Sequence, residues 1–201
     1  MDMMNLMEQR HCVRIYKDQK IEEAVRQELG ICLNECNRES GLNMQILYDE
    51  PNCFHTMMAH YGKFKGVKNY IALVGDKSPD LEEKCGYYGE KLVLKAQELG
   101  LNTCWVALTY GKNRCAATVA KGEKRVCVIA FGYGETQGVP HKSKELSEVS
   151  DTITDMPEWY AQGMKAVLLA PTALNQQKFL FSLQGNSVTA TALNGPYTKL
   201  D

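Results

Sequence analysis

Apolar residues recur at helical spacing early in the chain. Ile21, Val25, Leu29, Leu33 and Cys36 fall on one face, which predicts a helix that Asp18 can cap and that ends near Gly41. Met44, Ile46 and Tyr48 then alternate with polar neighbours, the pattern of a half-buried strand. Residues 53–66 read as a short helix followed by a glycine-bounded loop. Tyr70 to Val74 is an unbroken apolar run closed by Gly75, as expected of a central strand. Ser78 as N-cap and Pro79 at the first helical position open a second long helix carrying Leu81, Cys85, Leu92, Ala96 and Leu99 and stopped by Gly100. Gly86 and Gly89 lie in its broad apolar surface. Small residues there permit close packing and place this helix in the core or at a subunit contact. Strands follow near 103–108 and 125–131. A polar connection runs from Gly132 to Asp155, and a helix is expected near 157–169. Phe179 to Leu183 and Ser187 to Leu193 flank Gln184-Gly185-Asn186 and read as a hairpin. No repeat or linker interrupts this series. The expectation is one domain, residues 1–201, of the α+β class, with a mostly antiparallel central sheet flanked by helices.

Composition narrows the functional classes. A chain of 201 residues suits one domain with a full core, and 44% hydrophobic with 23% charged residues is the balance of a folded protein rather than a disordered one. Lys and Arg number 23 against 24 Asp and Glu, so the net charge is -1. Binding to nucleic acid or a membrane surface through bulk positive charge is not expected. No segment approaches the roughly 18 apolar residues of a membrane helix. Met1 to Asn5 is mildly acidic and does not lead into the apolar stretch of a secretory leader. Most of the 8 cysteines sit in apolar runs such as Val126-Cys127-Val128 and Thr103-Cys104-Trp105, which suits reduced, buried thiols in a cytoplasmic protein. Cys32 and Cys36, or Cys53 with His55 and His60, lack the paired short spacings of a zinc site, so no metal is expected.

Two short segments carry candidate chemistry. In Arg10-His11-Cys12-Val13-Arg14 the neighbours Val13, Ile15 and Tyr16 favour an extended backbone. Arg10, Cys12 and Arg14 then share one face, opposite His11 and Val13. Two guanidinium groups on one face can donate paired hydrogen bonds to a phosphate or carbonyl; equally, they can form a solvated basic edge paired with Glu8 and Asp18. The second segment, Ala170-Pro171-Thr172-Ala173-Leu174-Asn175-Gln176-Gln177, follows an apolar helical run. Pro171 and Ala173 keep its backbone low, while the amides of Asn175 and Gln177 can meet the heteroatoms of a flat ring. A proline turn with solvated amides is the plainer alternative.

These residues resemble the nitroreductase family, FMN-dependent enzymes that form homodimers with the flavin at the subunit interface. The resemblance implies that Arg10, His11, Cys12 and Arg14 grip the FMN phosphate, ribityl chain and pyrimidine edge. Arg14 at that edge would favour an anionic reduced ring. Cys12 stands where the family usually has serine, and a thiol is the weaker hydrogen-bond partner. Pro171, Thr172, Ala173, Asn175 and Gln177 match the family's Ala-Pro-Ser/Thr-Ala-x-Asn-x-Gln signature in order and spacing. Most nitroreductases carry that signature after the first helix; its place near the C-terminus resembles a smaller subgroup of nitroreductases.

Residues 100–108 resemble the family strand whose end lies over the flavin. This implies that the backbone at Val106 and Ala107 stabilises charge arriving on the ring. Trp105 reads as core. Gly132-Tyr133-Gly134 has the wrong spacing for a dinucleotide fingerprint. The basic residues that follow, Lys142 and Lys144, match those reaching the phosphate in the family, or else form a solvated charge run. The activity implied is hydride transfer from NADH or NADPH to FMN and on to a small electron acceptor such as a nitroaromatic or quinone, with no side chain singled out as acid or base. Flavin binding without turnover, as in a sensor or carrier, remains open. So does another flavin reaction on this fold, such as reductive dehalogenation or flavin breakdown, with residues 50–66 as a possible substrate cover.

Overall fold

The computed structural model describes residues 2–194, which fall into two compact units divided between Val139 and Pro140. The first unit is built on a sheet of four strands in the order β1-β2-β4-β3, with every neighbouring pair antiparallel. The strands are β1 (Gln45–Leu47), β2 (Asn69–Asp76), β3 (Asn102–Val106) and β4 (Glu123–Gly132). The central strands β2 and β4 are covered on both faces, which is why β2 reads as a continuous apolar run.

Side-chain alternation divides the core. Ile71, Leu73, Cys127, Ile129 and Phe131 point to one face, where α2 (Glu23–Ser40) and α4 (Leu81–Glu98) supply Leu29, Cys36, Leu92, Val93 and Ala96. Tyr70, Ala72, Val74, Val128 and Ala130 point to the other face, against Val13, Tyr16, Phe54, Phe64 and Val67. The second face is therefore covered by irregular chain rather than by long helices. A short helix, α3 (Met57–Tyr61), lies there with Ala59 buried, whereas α1 (Met3–Gln9), which leads into the segment at Arg10, packs against α4.

Several helix boundaries differ from the sequence expectation. The helix α2 starts after Glu22, not at Asp18, whose carboxylate instead meets Lys68 Nζ at 2.6 Å. Its other end is as expected, with Gly41 in the left-handed region at φ 73°. The helix α4 starts at Leu81 with Asp80 before it. Ser78 and Pro79 belong to the preceding turn, in which the Leu81 N–H donates to the Ser78 carbonyl. Gly89 permits close packing as expected, since a Cβ there would lie 2.5 Å from the Trp105 ring. Gly86 does not, because nothing lies within 4 Å of the same position. The strand β3 ends at Val106, which leaves Ala107 and Leu108 in the loop beyond it. Trp105 packs against the helix-side core and donates to Glu90.

The second unit holds α5 (Leu146–Val149), α6 (Glu158–Leu169) and a hairpin of β5 (Phe179–Gln184) with β6 (Ser187–Ala192), its turn at Gly185-Asn186 as expected. A small core of Val149, Tyr160 and Met164 packs with Phe179, Phe181 and Leu183. The Ser150 and Tyr160 hydroxyls meet at 2.9 Å, and Ser150 bridges Phe181.

Candidate functional site

Residues 10–16 run extended along the irregularly covered side of the first unit. Cys12 forms a parallel bridge with Thr103 of β3, and the Val13 N–H donates to the Thr103 carbonyl at 3.0 Å. Ile15 bridges Lys65, and Tyr16 bridges Gly134. The Tyr16 phenol is buried and donates to the carbonyls of Val13 (2.6 Å) and Ala130 (3.2 Å), tying the segment to β4. Gly66 allows the close approach to Lys65: its φ is 72°, and a Cβ would sit 2.2 Å from the Tyr16 carbonyl oxygen.

The two arginines in this segment behave differently. Arg10 is buried and pairs with Glu90 of α4, Nε to Oε1 at 3.5 Å, rather than with Glu8. Glu90 also accepts from Trp105 Nε1 at 2.9 Å, and burial raises its carboxyl above the ordinary value. Arg14 stays on the surface, 5.6 Å over the Phe64 ring, with one long hydrogen bond of 3.4 Å to the Gly62 carbonyl. Its guanidinium also faces the sulfurs of Cys12 and Cys104.

Cys12 is the exposed member of a thiol pair. Its hydrogen bond with Cys104, opposed by burial and supported by Arg14 and Arg10, lowers its pKa to about 6. Cys104 is buried, and the same contact together with burial holds its thiol well above the ordinary value. Most of the cysteines are buried, as expected; Cys12 is exposed, and Cys32 and Cys115 are half-buried. An extended surface segment exposes alternate residues, whereas Cys36, Cys85, Cys104 and Cys127 of the helices and sheet are enclosed.

His11 donates to or accepts from the Gln137 carbonyl through Nδ1 at 3.2 Å, while its Nε2 and the neighbouring Thr103 Oγ1 are buried without a hydrogen-bond partner among the described residues. Val106 is buried in the core at the end of β3, so only its backbone could meet a ligand, and Ala107 packs against the helix-side core.

In the second unit, Lys142, Lys144, Asn175 and Gln177 come together. The Gln177 amide accepts from the Lys144 N–H at 3.0 Å and donates to the Lys142 carbonyl (3.0 Å) and Asn175 Oδ1 (3.0 Å). Asn175 Nδ2 donates to the same Lys142 carbonyl at 2.9 Å, and Lys144 Nζ donates to the Gln177 carbonyl at 2.8 Å. Thr172 Oγ1 accepts from the Gln177 N–H at 3.0 Å. The signature amides therefore clasp their own loop. Pro171, Thr172 and Ala173 are half-buried beside it, and the Lys142 side chain is exposed. Leu174, Asn175 and Gln177 have φ of 55°, 55° and 47°, an uncommon run of left-handed non-glycine residues.

The family model described as "Putative TM nitroreductase" matches residues 2–201. The chain belongs to this family. Solved nitroreductases share its fold. A "putative nitroreductase" from Thermotoga maritima superposes with a TM-score of 0.64 at 20% identity, covering 96% of this chain and 76% of the other. One from Desulfovibrio desulfuricans, solved in complex with FMN, gives 0.58 at 17% identity over 78% and 98%. A mutant of an FMN and NADPH-dependent nitroreductase derived from Sphigopyxis sp. strain HMH gives 0.61 at 14% identity over 77% and 100%. Over 86 residues the chain is also 35% identical to a biotin synthase of Streptomyces coelicolor. That stretch is 43% of this chain, and the chain spans about a fifth (19%) of that curated relative's length.

Sequence reasoning missed several residues around the nitroreductase segment. Glu90 neutralises Arg10, Cys104 pairs with Cys12, and Phe64 lies beneath Arg14. The reason is distance along the chain, since no local spacing connects residue 12 with 104. A second thiol pair, Cys53 and Cys115, was likewise unseen; hydrogen bonding to Cys53 lowers Cys115 to about 6. Among the described residues, no group of three or more His, Cys, Asp or Glu is placed to hold a metal ion. No helix among them is long and apolar enough to cross a membrane.

Proposed function

We propose that this nitroreductase-family chain is an FMN-dependent oxidoreductase. It takes hydride from NADH or NADPH and reduces a small acceptor such as a nitroaromatic or a quinone, working as a cytoplasmic homodimer. In this reading residues 1–201 act as one flavin-binding domain, and the chain belongs to the subgroup with the proline–amide signature near the C-terminus. The observation that carries the reading is the family match across residues 2–201, which includes both candidate segments.

The local chemistry of the first unit fits an anionic, acceptor-rich cofactor. The surface guanidinium of Arg14 makes a long hydrogen bond to the Gly62 carbonyl and faces the Cys12 and Cys104 thiols, and two polar atoms, His11 Nε2 and Thr103 Oγ1, are buried without partners among the described residues. Such groups are costly to bury unmatched and suit an added ligand. Arg14 and His11 would hold phosphate or the pyrimidine edge. Arg10, already neutralised by Glu90, would position the segment rather than grip the ligand. Cys12 would meet the ribityl chain, and the Val106 and Ala107 backbone the ring. In the second unit, Lys142 and Lys144 would face phosphate. Pro171, Thr172, Ala173, Asn175 and Gln177 would present a preformed turn whose shape the amide clasp fixes. Bound FMN supplies two-electron hydride chemistry; the protein supplies orientation and charge.

The test is spectroscopic. Purified protein should be yellow, or become so with added FMN, and should bleach under anaerobic NADH or NADPH. Protein that is colourless and refuses FMN overturns the reading. Bound flavin that stays oxidised with both donors reassigns the chain to flavin binding without turnover.

A further inference from the structure

The chain carries a nucleophilic sulfur, Cys12, to which the proposed oxidoreductase cycle gives a contact with the ribityl chain but no chemical step. Cys12 lies on the exposed extended segment and bridges Thr103, the residue that precedes Cys104 on β3. The two cysteines are therefore diagonal neighbours across one backbone bridge, close enough for their thiols to couple electrostatically, while Cys104 Sγ donates to the Trp105 carbonyl at 3.5 Å. Adjacent bridged strands bring Cα atoms into the range a disulfide spans. The partners differ in access, with Cys12 exposed and Cys104 enclosed. The Arg14 guanidinium faces both sulfurs, and Arg10 adds positive charge at Cys12. Exposure, a cationic neighbour and a resolving thiol are together the setting of an oxidation-sensitive cysteine.

We propose that Cys12 and Cys104 form a peroxide-reactive site, in which Cys12 is oxidised first and Cys104 closes a disulfide upon it. In the first step the Cys12 thiolate attacks one oxygen of hydrogen peroxide. The O–O bond breaks, hydroxide leaves and takes a proton to become water, and Cys12 becomes a sulfenic acid. Cys104 then gives up its proton and its sulfur attacks Cys12. The S–O bond breaks, a second water leaves, and the S–S bond remains. Two thiols lose two electrons, and one peroxide gains them. A dithiol reductant reverses the change by thiol–disulfide exchange. The lowered thiol pKa of Cys12 supports the order of events, because the thiolate is the nucleophile.

The experiment exposes the purified full chain to a small excess of hydrogen peroxide, blocks remaining thiols with N-ethylmaleimide and maps the peptides by mass spectrometry. The expected result is a Cys12–Cys104 linked peptide pair that disappears with dithiothreitol. It should form on the order of tenfold faster than oxidation of Cys85 or Cys127, which are enclosed and have raised thiol pKa values. In Cys104→Ala, Cys12 should stop at the sulfenic acid and be captured by a 1,3-dione probe. In Cys12→Ser, at an exposed position that does not threaten folding, Cys104 should remain maleimide-reactive once the chain is unfolded. Cys12 that stays unoxidised while Cys85 or Cys127 reacts overturns the proposal. So does Cys12 that links to a cysteine other than Cys104. The peptide map is read on protein stripped of flavin and on protein loaded with FMN. A link that forms only in the stripped sample supports both the thiol pair and the flavin contact, and absence of the link in both overturns the proposal whatever the outcome for flavin.

Discussion

Arg10 and Glu90 meet at 3.5 Å beneath the surface segment, with side-chain exposures of 4% and 28%. The pair joins the entry to that segment to the middle of α4, and Trp105 completes it with a hydrogen bond to the other carboxylate oxygen. Removing one partner should cost more than removing both. Glu90→Leu leaves a buried guanidinium unpaired and should destabilise by about 2–3 kcal/mol. Arg10→Met with Glu90→Leu should recover much of that loss, because a well-packed apolar pair is often as stable as a buried ion pair. Denaturant unfolding of the two single variants and the double variant measures the coupling, and strict additivity would count against it.

The same carboxyl should leave a mark on the pH dependence of stability. Burial raises the folded Glu90 pKa above its unfolded value. Its favourable contribution is therefore complete below the ordinary carboxylate value of about 4.3 and declines as pH rises through the folded pKa. Glu90→Gln keeps an acceptor for Trp105 and removes the titration. The parent should lose stability relative to this variant between about pH 4 and neutrality, as read from paired unfolding curves. Parallel curves would show that the pair does not titrate in that window.

Two glycines of one helix should respond in opposite directions. At Gly89 a new methyl would lie 2.5 Å from the Trp105 ring and 3.1 Å from Leu73 Cδ1, so Gly89→Ala should destabilise by about 1–3 kcal/mol through overpacking. At Gly86 nothing lies within 4 Å, and Gly86→Ala should stabilise by about 0.5–1 kcal/mol because alanine holds a helix better. Thermal unfolding of both variants decides it. Destabilisation at Gly86 would place a packing partner, such as a second subunit, on that face.

That contrast marks where a sequence stops being legible. The apolar period from Ile21 to Cys36 locates α2 because burial against the sheet must follow the turn of the helix, and Gly41 ends it through its own backbone freedom. The unbroken run Tyr70 to Val74 announces a strand covered on both faces. Asp18 looks like a cap only until Lys68, far along the chain, is known to hold it. Helix α1 is short and buries only Leu6, too little to create a period. In the candidate site, the segment 10–14 and the turn 170–177 stand out by composition, yet the partners that define their chemistry do not. Glu90 and Cys104 reach the first through strand register and helix packing, which a single sequence does not encode locally. The signature amides could be recognised as hydrogen-bonding groups, but not as the clasp around Lys142 and Lys144.

That clasp can be tested by itself. Gln177 is buried, and its amide satisfies the Lys144 N–H and the Lys142 carbonyl at once. Gln177→Ala leaves the Lys144 N–H unmatched, while the Lys142 carbonyl keeps the Asn175 Nδ2 donor, at a cost of about 2–3 kcal/mol to the local structure. Amide hydrogen exchange at Lys144 should accelerate by roughly 30- to 100-fold, while the β2 and β4 amides stay protected. Unchanged exchange at Lys144 would mean that the turn is held by other contacts.

Cys12 should titrate far below an ordinary thiol. The hydrogen bond from Cys104 is the chief cause, burial opposes it, and the Arg14 and Arg10 guanidinium groups assist; the buried phenol of Tyr16 feels the same charge. Alkylation of Cys12 by iodoacetamide, followed by peptide mass spectrometry, should therefore rise with a midpoint at about pH 6. A folded pKa below the unfolded one means that the stabilisation is complete above the unfolded value of about 8.5 and is lost as pH falls through about 6. In Arg14→Ala the midpoint should move upward, and in Cys104→Ala further still, because that variant loses the largest cause. A parent midpoint near 8.5, the value of an ordinary cysteine, would mean that the Cys104 contact does not hold in solution. A midpoint that moves with Arg14 but not with Cys104 would make the guanidinium, rather than the thiol hydrogen bond, the source of the shift.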